Sequence, residues 1–274
     1  MPRPDGRLIK TLSPFAKIMP HIMPHRYDAQ IFMSLDFPYE KVKEYISEKK
    51  ELGENITLMS CVLAAYVRTV AEFPELNRFV ISKKIYARKG IFFSFIILKE
   101  KWDGESERDE TVVKLEFTGY ETITEVSEMI SEVINENKKE ESQNIADKLL
   151  AAIFRVPIIP GAIISFLKFM DKIGILPKSV IKASPFHTSV FFTNMASIRS
   201  YPVYHHLYDF GSTSTFIALG VDLTDKGKYL LKINADERIC NGSTYVRALR
   251  HFLKYIRKPT LLETAPDKVK QDMR

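Results

Sequence analysis

The sequence predicts a two-layer α/β sandwich, a mostly mixed β-sheet covered by helices, and three observations carry that prediction. Strand-like and helix-like segments alternate along nearly the whole 274-residue chain instead of separating into halves. The helical segments beginning at Ile56, Thr122 and Ser243 are apolar along one side only, which demands a sheet face or a shared helical layer to cover them. The stretch from Ile233 to Ile256 runs from a strand through a tight turn into an amphipathic helix, so its loop is held between two packed elements.

Met1 to Arg26 is rich in proline and basic residues and repeats the phrase Ile18-Met19-Pro20-His21 as Ile22-Met23-Pro24-His25. Proline at that spacing disfavours a regular helix, so residues 1–26 read as an extended arm lying across a neighbouring subunit. His21 and His25 offer metal binding as the alternative, but no carboxylate or cysteine stands at ligand spacing beside them. A single domain then occupies residues 27–258, and residues 259–274 form a polar tail.

Within that domain Tyr27 to Phe37 reads as a strand, Pro38 to Lys50 as a charged surface helix, and Ile56 to Glu72 as a largely buried helix. Pro74 stops the buried helix and Asn77 caps the turn after it. Phe79 to Leu98 and Thr111 to Thr118 read as strands around an exposed loop from Lys99 to Glu110. Thr122-Ile123-Thr124-Glu125 is a capping box; Ile123, Val126, Ile130, Val133 and Ile134 form the buried stripe that follows, and Asn135 to Gln143 its solvated end.

Leu149 to Ile181 is the longest apolar segment, and Ala162, Ile163, Phe166, Leu167, Phe169, Met170 and Ile173 make a helix apolar over more than half its circumference. Such a helix is ordinarily core; lining an acyl pocket and lying on a membrane surface are the alternatives. Thr188 to Asn194 and Ser214 to Val221 are strands, and Asp225-Lys226-Gly227 is a turn. Between the strands lies His205-His206, whose two rings point to opposite faces of an extended segment, so at most one faces a given site. Tyr229, Leu231, Ile233 and Ala235 alternate as the buried face of the last strand. Asn241-Gly242 turns the chain, Ser243 or Thr244 caps the final helix, and Val246, Leu249, Leu253 and Ile256 form its stripe before Arg257, Lys258 and Pro259 end it.

Three phrases, in order, resemble the catalytic domain of dihydrolipoyl acyltransferases and of chloramphenicol acetyltransferase. Phe73-Pro74-Glu75-Leu76-Asn77 is similar to the Pro-Glu-hydrophobic-Asn turn that ends the family's buried helix. Thr193-Asn194-Met195-Ala196 is similar to its Ser-Asn-hydrophobic-Gly segment, with Thr193 in place of the Ser whose hydroxyl donates to the oxyanion. Taken alone, Thr193 reads equally as one more β-branched strand residue. Glu237-Arg238-Ile239-Cys240-Asn241-Gly242 falls on the family's His-x-x-x-Asp-Gly, so Glu237 stands at the catalytic His and Asn241 at the Asp, while Asp236, Arg238 and Gly242 are kept. The resemblance spans about Phe15 to Tyr255 and implies a chloramphenicol acetyltransferase-like fold, a homotrimer with its site between subunits, and coenzyme A or acyl-coenzyme A as cofactor. Small-molecule acyl donors and acceptors are the implied partners. Leu149 to Ile181 departs from the family, whose connection there is shorter and more polar. The lipoyl domain and Ala/Pro-rich linker of full-length dihydrolipoyl acyltransferases do not precede this catalytic frame, so a stand-alone protein is expected.

Composition narrows the rest. With 45% hydrophobic and 27% charged residues the chain reads as an ordinary soluble globular protein. A net charge of +6 and a pI near 9.1 suit an anionic ligand, but no basic stripe interleaved with aromatics suggests nucleic acid. Cys61 and Cys240, the only cysteines, fit a reducing cytoplasm and give no metal-site spacing, so no metal is expected. Met1 to Lys17 lacks a signal-peptide core, and Arg155, Pro157, Pro160, Gly161, Lys168, Asp171 and Lys172 break the longest apolar run, so no membrane span is expected.

The substitution at Glu237 sets the functional question. A thiol near pKa 8.5 handing its proton to an imidazole near 6.5 goes uphill by about two units, roughly 2.7 kcal/mol. A carboxylate near 4.3 makes it about four units, roughly 5.7 kcal/mol, which is on the order of a hundredfold slower if fully expressed. Burial between subunits raises a carboxylate pKa and recovers part of this. Three readings stand: an acyltransferase with an atypical site, using Glu237 as base and Thr193 as oxyanion donor; an inactive homologue that keeps the trimer for binding or scaffolding; or an unrelated α/β protein. Asn241 lacks the charge that in the family pairs with an Arg, so that Arg is expected to be gone or satisfied by Glu237 or Asp236.

Overall fold

The computed structural model describes residues 3–98, 110–138, 160–225 and 227–273. The first half contains β1 (Gly6–Leu8), α1 (Pro14–Ile22), β2 (Gln30–Pro38), α2 (Glu40–Glu51), α3 (Leu58–Glu72), β3 (Arg78–Ile81), β4 (Lys84–Arg88), β5 (Ile91–Leu98) and β6 (Glu110–Phe117). The second contains α4 (Ile123–Asn137), α5 (Pro160–Ile173), α6 (Lys178–Ala183), β7 (Val190–Asn194), β8 (Thr215–Val221), β9 (Lys228–Asp236) and α7 (Gly242–Arg257). The expected loop at 99–109 and the first part of the long apolar segment lie outside the described residues.

Six strands form one mixed sheet in the order β2-β9-β8-β7-β5-β6, and β1-β4-β3 form a small second sheet. β7 pairs in parallel with β5 and β8, and the remaining pairs are antiparallel. Central parallel strands are covered on both faces, and β7 shows this: Val190, Phe191 and Phe192 are all buried. One face of the large sheet carries Phe93, Phe95, Phe192, Leu219 and Leu231 against Leu63 and Val67 of α3, Val126 and Ile130 of α4, and Phe252 and Ile256 of α7. The two-layer α/β sandwich and the packing of the three helices on it are therefore as the sequence predicts, except that α3 is buried all round from Met59 to Ala71, because α4 and α7 flank it. The opposite face carries Phe191, Phe216 and Leu207, with Val112 against them.

Capping holds the helices where the sequence places them. The Thr122 hydroxyl and the Glu125 carboxylate satisfy each other's backbone N–H groups at the start of α4. At α7 the cap is neither Ser243 nor Thr244 but Asn241, whose Oδ1 accepts from the Thr244 N–H at 2.9 Å. The buried stripe of α7 is accordingly Tyr245, Ala248, Phe252, Tyr255 and Ile256, while Val246 is 50% exposed. Large aromatic area decides this rotation: Phe252 packs edge-on to Tyr66, and Tyr245 donates its hydroxyl to the Asp236 carbonyl at 2.7 Å.

Three segments differ from expectation. Residues 1–26 are not extended throughout, since β1 pairs with β4 and α1 forms a helix. Ser13 caps α1 and Pro14 sits in its first turn, where a missing N–H is harmless; Pro20 falls near the end, where α1 stops at Ile22. Asn77 does not cap its own turn; its Nδ2 donates to the Gly90 carbonyl at 2.8 Å and so ties that turn to the bend before β5. Residues beyond α7 fold back over the domain, with Asp272 bridging Arg78 at 2.6 Å and the Lys270 N–H donating to the Ala71 carbonyl.

The apolar helix α5 is the largest departure. Core was its expected place, yet Asp171 is its only buried residue, and Phe166 and Phe169 are 61% and 56% exposed. Asp171 turns inward because Arg3 Nη2 reaches it at 2.7 Å and His187 Nε2 stands 3.3 Å away. The buried ion pair sits on the inward side of α5, Ile163, Ile164, Leu167 and Met170 are half-buried, and Phe166 and Phe169 are left outward. Among the described residues no helix is long and apolar enough to cross a membrane.

Candidate active site

The loop after β9 is rigid by construction. β9 is flanked on both sides, by β2 and β8, so its end is fixed by two registers that bring Asp236 opposite Gln30 and Ala235 opposite Thr215. The Glu237 N–H donates to the Ala29 carbonyl at 2.9 Å, and Arg78 Nη1 donates to the Ile239 carbonyl at 3.0 Å. Ile239 is buried, and burial pushes the neighbouring Cys240 thiol up to about 12. Cys240 is therefore a protonated, packed thiol.

Charge in this loop is paired, with one exception. Arg238 grips Asp236 through two bonds, Nε to Oδ1 at 2.8 Å and Nη2 to Oδ2 at 2.6 Å, and both side chains are buried. Its Nη1 donates to the Met23 carbonyl at 2.8 Å. Arg26 is buried close by and is met only by carbonyls, those of Tyr208, Val80 and Gly211. Burial lowers its pKa, and the Asp236 charge is the main influence raising it. Asp236 thus serves two guanidinium groups, and the expectation that Asp236 or Glu237 would replace the carboxylate lost at Asn241 resolves to Asp236. Asn241 itself spends its Oδ1 on the cap and on the Ser243 hydroxyl at 2.8 Å. Glu237 remains exposed, with no side-chain hydrogen bond or ion pair among the described residues.

Thr193 lies near the far end of β7, half-buried. Beside it a groove of about 440 Å³ is lined by Tyr39, Asn194, Ala196, Ser197 and Tyr229, among others. Asn194 presents a buried Oδ1 with no partner among the described residues, which leaves an acceptor available next to Thr193.

Glu237 and Thr193 do not meet within one chain. Thr193 pairs with Ala218, and Ala218 with Lys232, which precedes Glu237 by five residues on β9. At about 3.3 Å per residue that places them roughly 16 Å apart along the strands, at opposite ends of the sheet. Within one chain the two residues therefore stand apart.

Solved structures share this fold at low identity. The probable dihydrolipoamide acetyltransferase from Listeria monocytogenes 4b F2365 aligns over 91% of this chain and 95% of its own, with 15% identity and a TM-score of 0.53. The truncated catalytic core of the 2-oxoacid dehydrogenase multienzyme complex from Thermoplasma acidophilum aligns over 92% and 99%, with 12% identity and a TM-score of 0.56. A chloramphenicol acetyltransferase aligns over 92% and 99%, with 10% identity and a TM-score of 0.57. No protein-family model and no curated protein matches the sequence. The chain has the chloramphenicol acetyltransferase-like fold of these acyltransferase domains, as the three phrases imply; at these identities the likeness is one of fold.

The remaining histidines take structural places. His205 stacks on Phe216 with ring centroids 4.3 Å apart, burial lowers its pKa, and its carbonyl accepts from Asn234 Nδ2. It lies beside β9 three residues before Glu237, whereas His206 is exposed. His21 is exposed on α1, and His25 stacks on Tyr27. Among the described residues no three His, Cys, Asp or Glu side chains converge as a metal site.

Sequence reading missed a second cluster entirely. Arg3, Asp5, Arg88, Lys114, Asp171 and His187 come from five distant segments and are brought close together by the fold. No spacing in the sequence announces them, because each looks like an ordinary polar or charged residue of its own strand, helix or loop.

Proposed function

We propose that this protein is a homotrimeric, coenzyme A-dependent acyltransferase whose site joins Glu237 of one subunit to Thr193 of the next. Glu237 takes the proton of a small-molecule acceptor as that atom attacks an acyl thioester, and the Thr193 hydroxyl donates to the oxyanion that forms. The observation that carries this reading is the freedom of Glu237: Asp236 satisfies Arg238, Asn241 caps α7, and Glu237 is the charged side chain of this loop left without a partner among the described residues. A rigid loop aims it and the strand register separates it from Thr193, as an intersubunit site requires.

Exposed apolar surface supports the trimer. Phe15, Ile18 and Ile22 form one unpartnered stripe on α1, and Phe32, Tyr201 and Tyr204 stand exposed together beside β9. Surface of this kind on a water-soluble domain marks a contact site, and a second copy is the partner that would also complete the active site.

A trimer that binds without turnover is the second reading, favoured by one observation: nothing among the described residues orients the Glu237 carboxylate by a hydrogen bond. Incubating the protein with a panel of acyl-coenzyme A thioesters and measuring thiol release decides between them. Release is expected, feeble with thiol acceptors at neutral pH, and abolished by Glu237→Gln. Release untouched by Glu237→Gln moves the base to His205 or His206; no release from any thioester supports the binding reading.

A further inference from the structure

Two cations lie on one wall of a cavity without a carboxylate of their own. Arg88, at the end of β4, is buried; its Nη1 and Nη2 donate to the Ser212 hydroxyl at 2.8 Å and the Ser212 carbonyl at 2.6 Å. Its Nε is buried too and has no partner among the described residues. Lys114, on β6, donates to the carbonyls of Ile181 at 3.0 Å and Ser184 at 3.1 Å and sits 4.8 Å from the centre of the Phe92 ring. Carbonyls and a ring face solvate an ammonium but do not neutralise it. Asp5 shares the wall, yet Arg3 already holds both of its oxygens, at 2.9 and 3.0 Å.

The cavity encloses about 320 Å³, and Lys89, Lys178 and Lys182 stand exposed around it. Five basic side chains therefore face two carboxylates, Asp5 and Glu116. Burial, reinforced by the Arg88 charge, pushes the Lys114 amine down to about 7, and burial pushes Arg88 down to about 10. Cations that the protein itself solvates poorly gain most from an arriving anion. Point-like ammonium donors converging from several sides suit a tetrahedral dianion better than a planar carboxylate.

We propose that this cavity binds a phosphate dianion, free or as the end group of a small metabolite. Lys114 is its inner contact, the buried Arg88 guanidinium adds its charge from the wall behind, and the rim lysines draw it in. Glu237, Asn241 and Thr193 are not among the lining residues, so the site stands apart from the acyl-transfer reading.

Calorimetric titration of the full chain with inorganic phosphate and with glycerol 3-phosphate, in low-salt buffer at pH 7, tests it. One saturable site per chain is expected, weakened at least about tenfold by Lys114→Met and unchanged by Lys43→Gln on α2, because the point charge in the cavity wall and not the surface field supplies the contact. The tighter probe tells whether the group arrives free or esterified. No saturation at millimolar concentration, or equal affinity in Lys114→Met, overturns the proposal. Should that variant not fold, amine acylation of the wild-type chain serves instead: phosphate is expected to shield Lys114, and equal labelling with and without phosphate overturns the proposal.

Discussion

Asp236→Asn is expected to lower the free energy of unfolding by about 3–5 kcal/mol, the usual loss when one partner of a buried ion pair is removed. The geometry gives the reason. Asp236 is buried, bridges Arg238 through two bonds of 2.8 and 2.6 Å, and is the main charge opposing the desolvation of Arg26. An amide of the same shape leaves two guanidinium groups in the interior without an anion. Urea denaturation reads the effect as a lowered midpoint at unchanged slope. Adding Arg238→Met should restore part of the loss, since one of the two stranded charges then disappears; Arg26 keeps the rest. A loss below about 1 kcal/mol in the single variant would mean that water reaches Arg238, the magnitude typical of exposed pairs.

The second large effect concerns rate. Replacing Glu237 by His together with Asn241→Asp should raise thioester turnover with a thiol acceptor on the order of a hundredfold, because an imidazole accepts the thiol proton about 3 kcal/mol more readily than an ordinary carboxylate. The fold should tolerate both changes. Glu237 is exposed in the chain, and an Asp at 241 caps α7 as Asn241 does, through an oxygen toward the Thr244 N–H. Steady-state kinetics with the best thioester of the panel measures it. Turnover unchanged by the pair would place the rate-limiting proton transfer elsewhere, with His205 beside β9 as the next residue to replace.

Much of this architecture was legible in the sequence because it rests on local periodicity. The capping box at Thr122 and the one-sided stripe of α4 depend on neighbours within a few residues, and both stand where predicted; β9 and α3 form where predicted but are buried on both faces and all round, because β2 and β8 flank β9 and α7 and α4 pack on α3. Thr193 on β7 and Glu237 in a rigid loop after β9 were likewise placed by short phrases. What depended on distant partners was not legible. The outward face of α5 follows from Arg3 and His187 reaching Asp171 from far along the chain, so its apolar pattern misled. The stripe of α7 shifted because Tyr245 and Phe252 found partners on Asp236 and Tyr66 that no helical wheel contains. The cavity at Lys114 is the same case: its walls come from segments that only the fold brings together.

The most direct test of the acyl-transfer account mixes subunits. Chains carrying Glu237→Gln and chains carrying Thr193→Ala are unfolded, mixed in equal amounts, refolded and assayed for thiol release from an acyl-coenzyme A. Each variant alone should be inactive. The mixture should regain about a quarter of wild-type activity, because random assembly of a closed ring puts an intact Glu237 opposite an intact Thr193 at about one site in four. A mixture as inactive as its parents, beside wild-type chains that recover activity after the same treatment, would contradict a site shared between subunits.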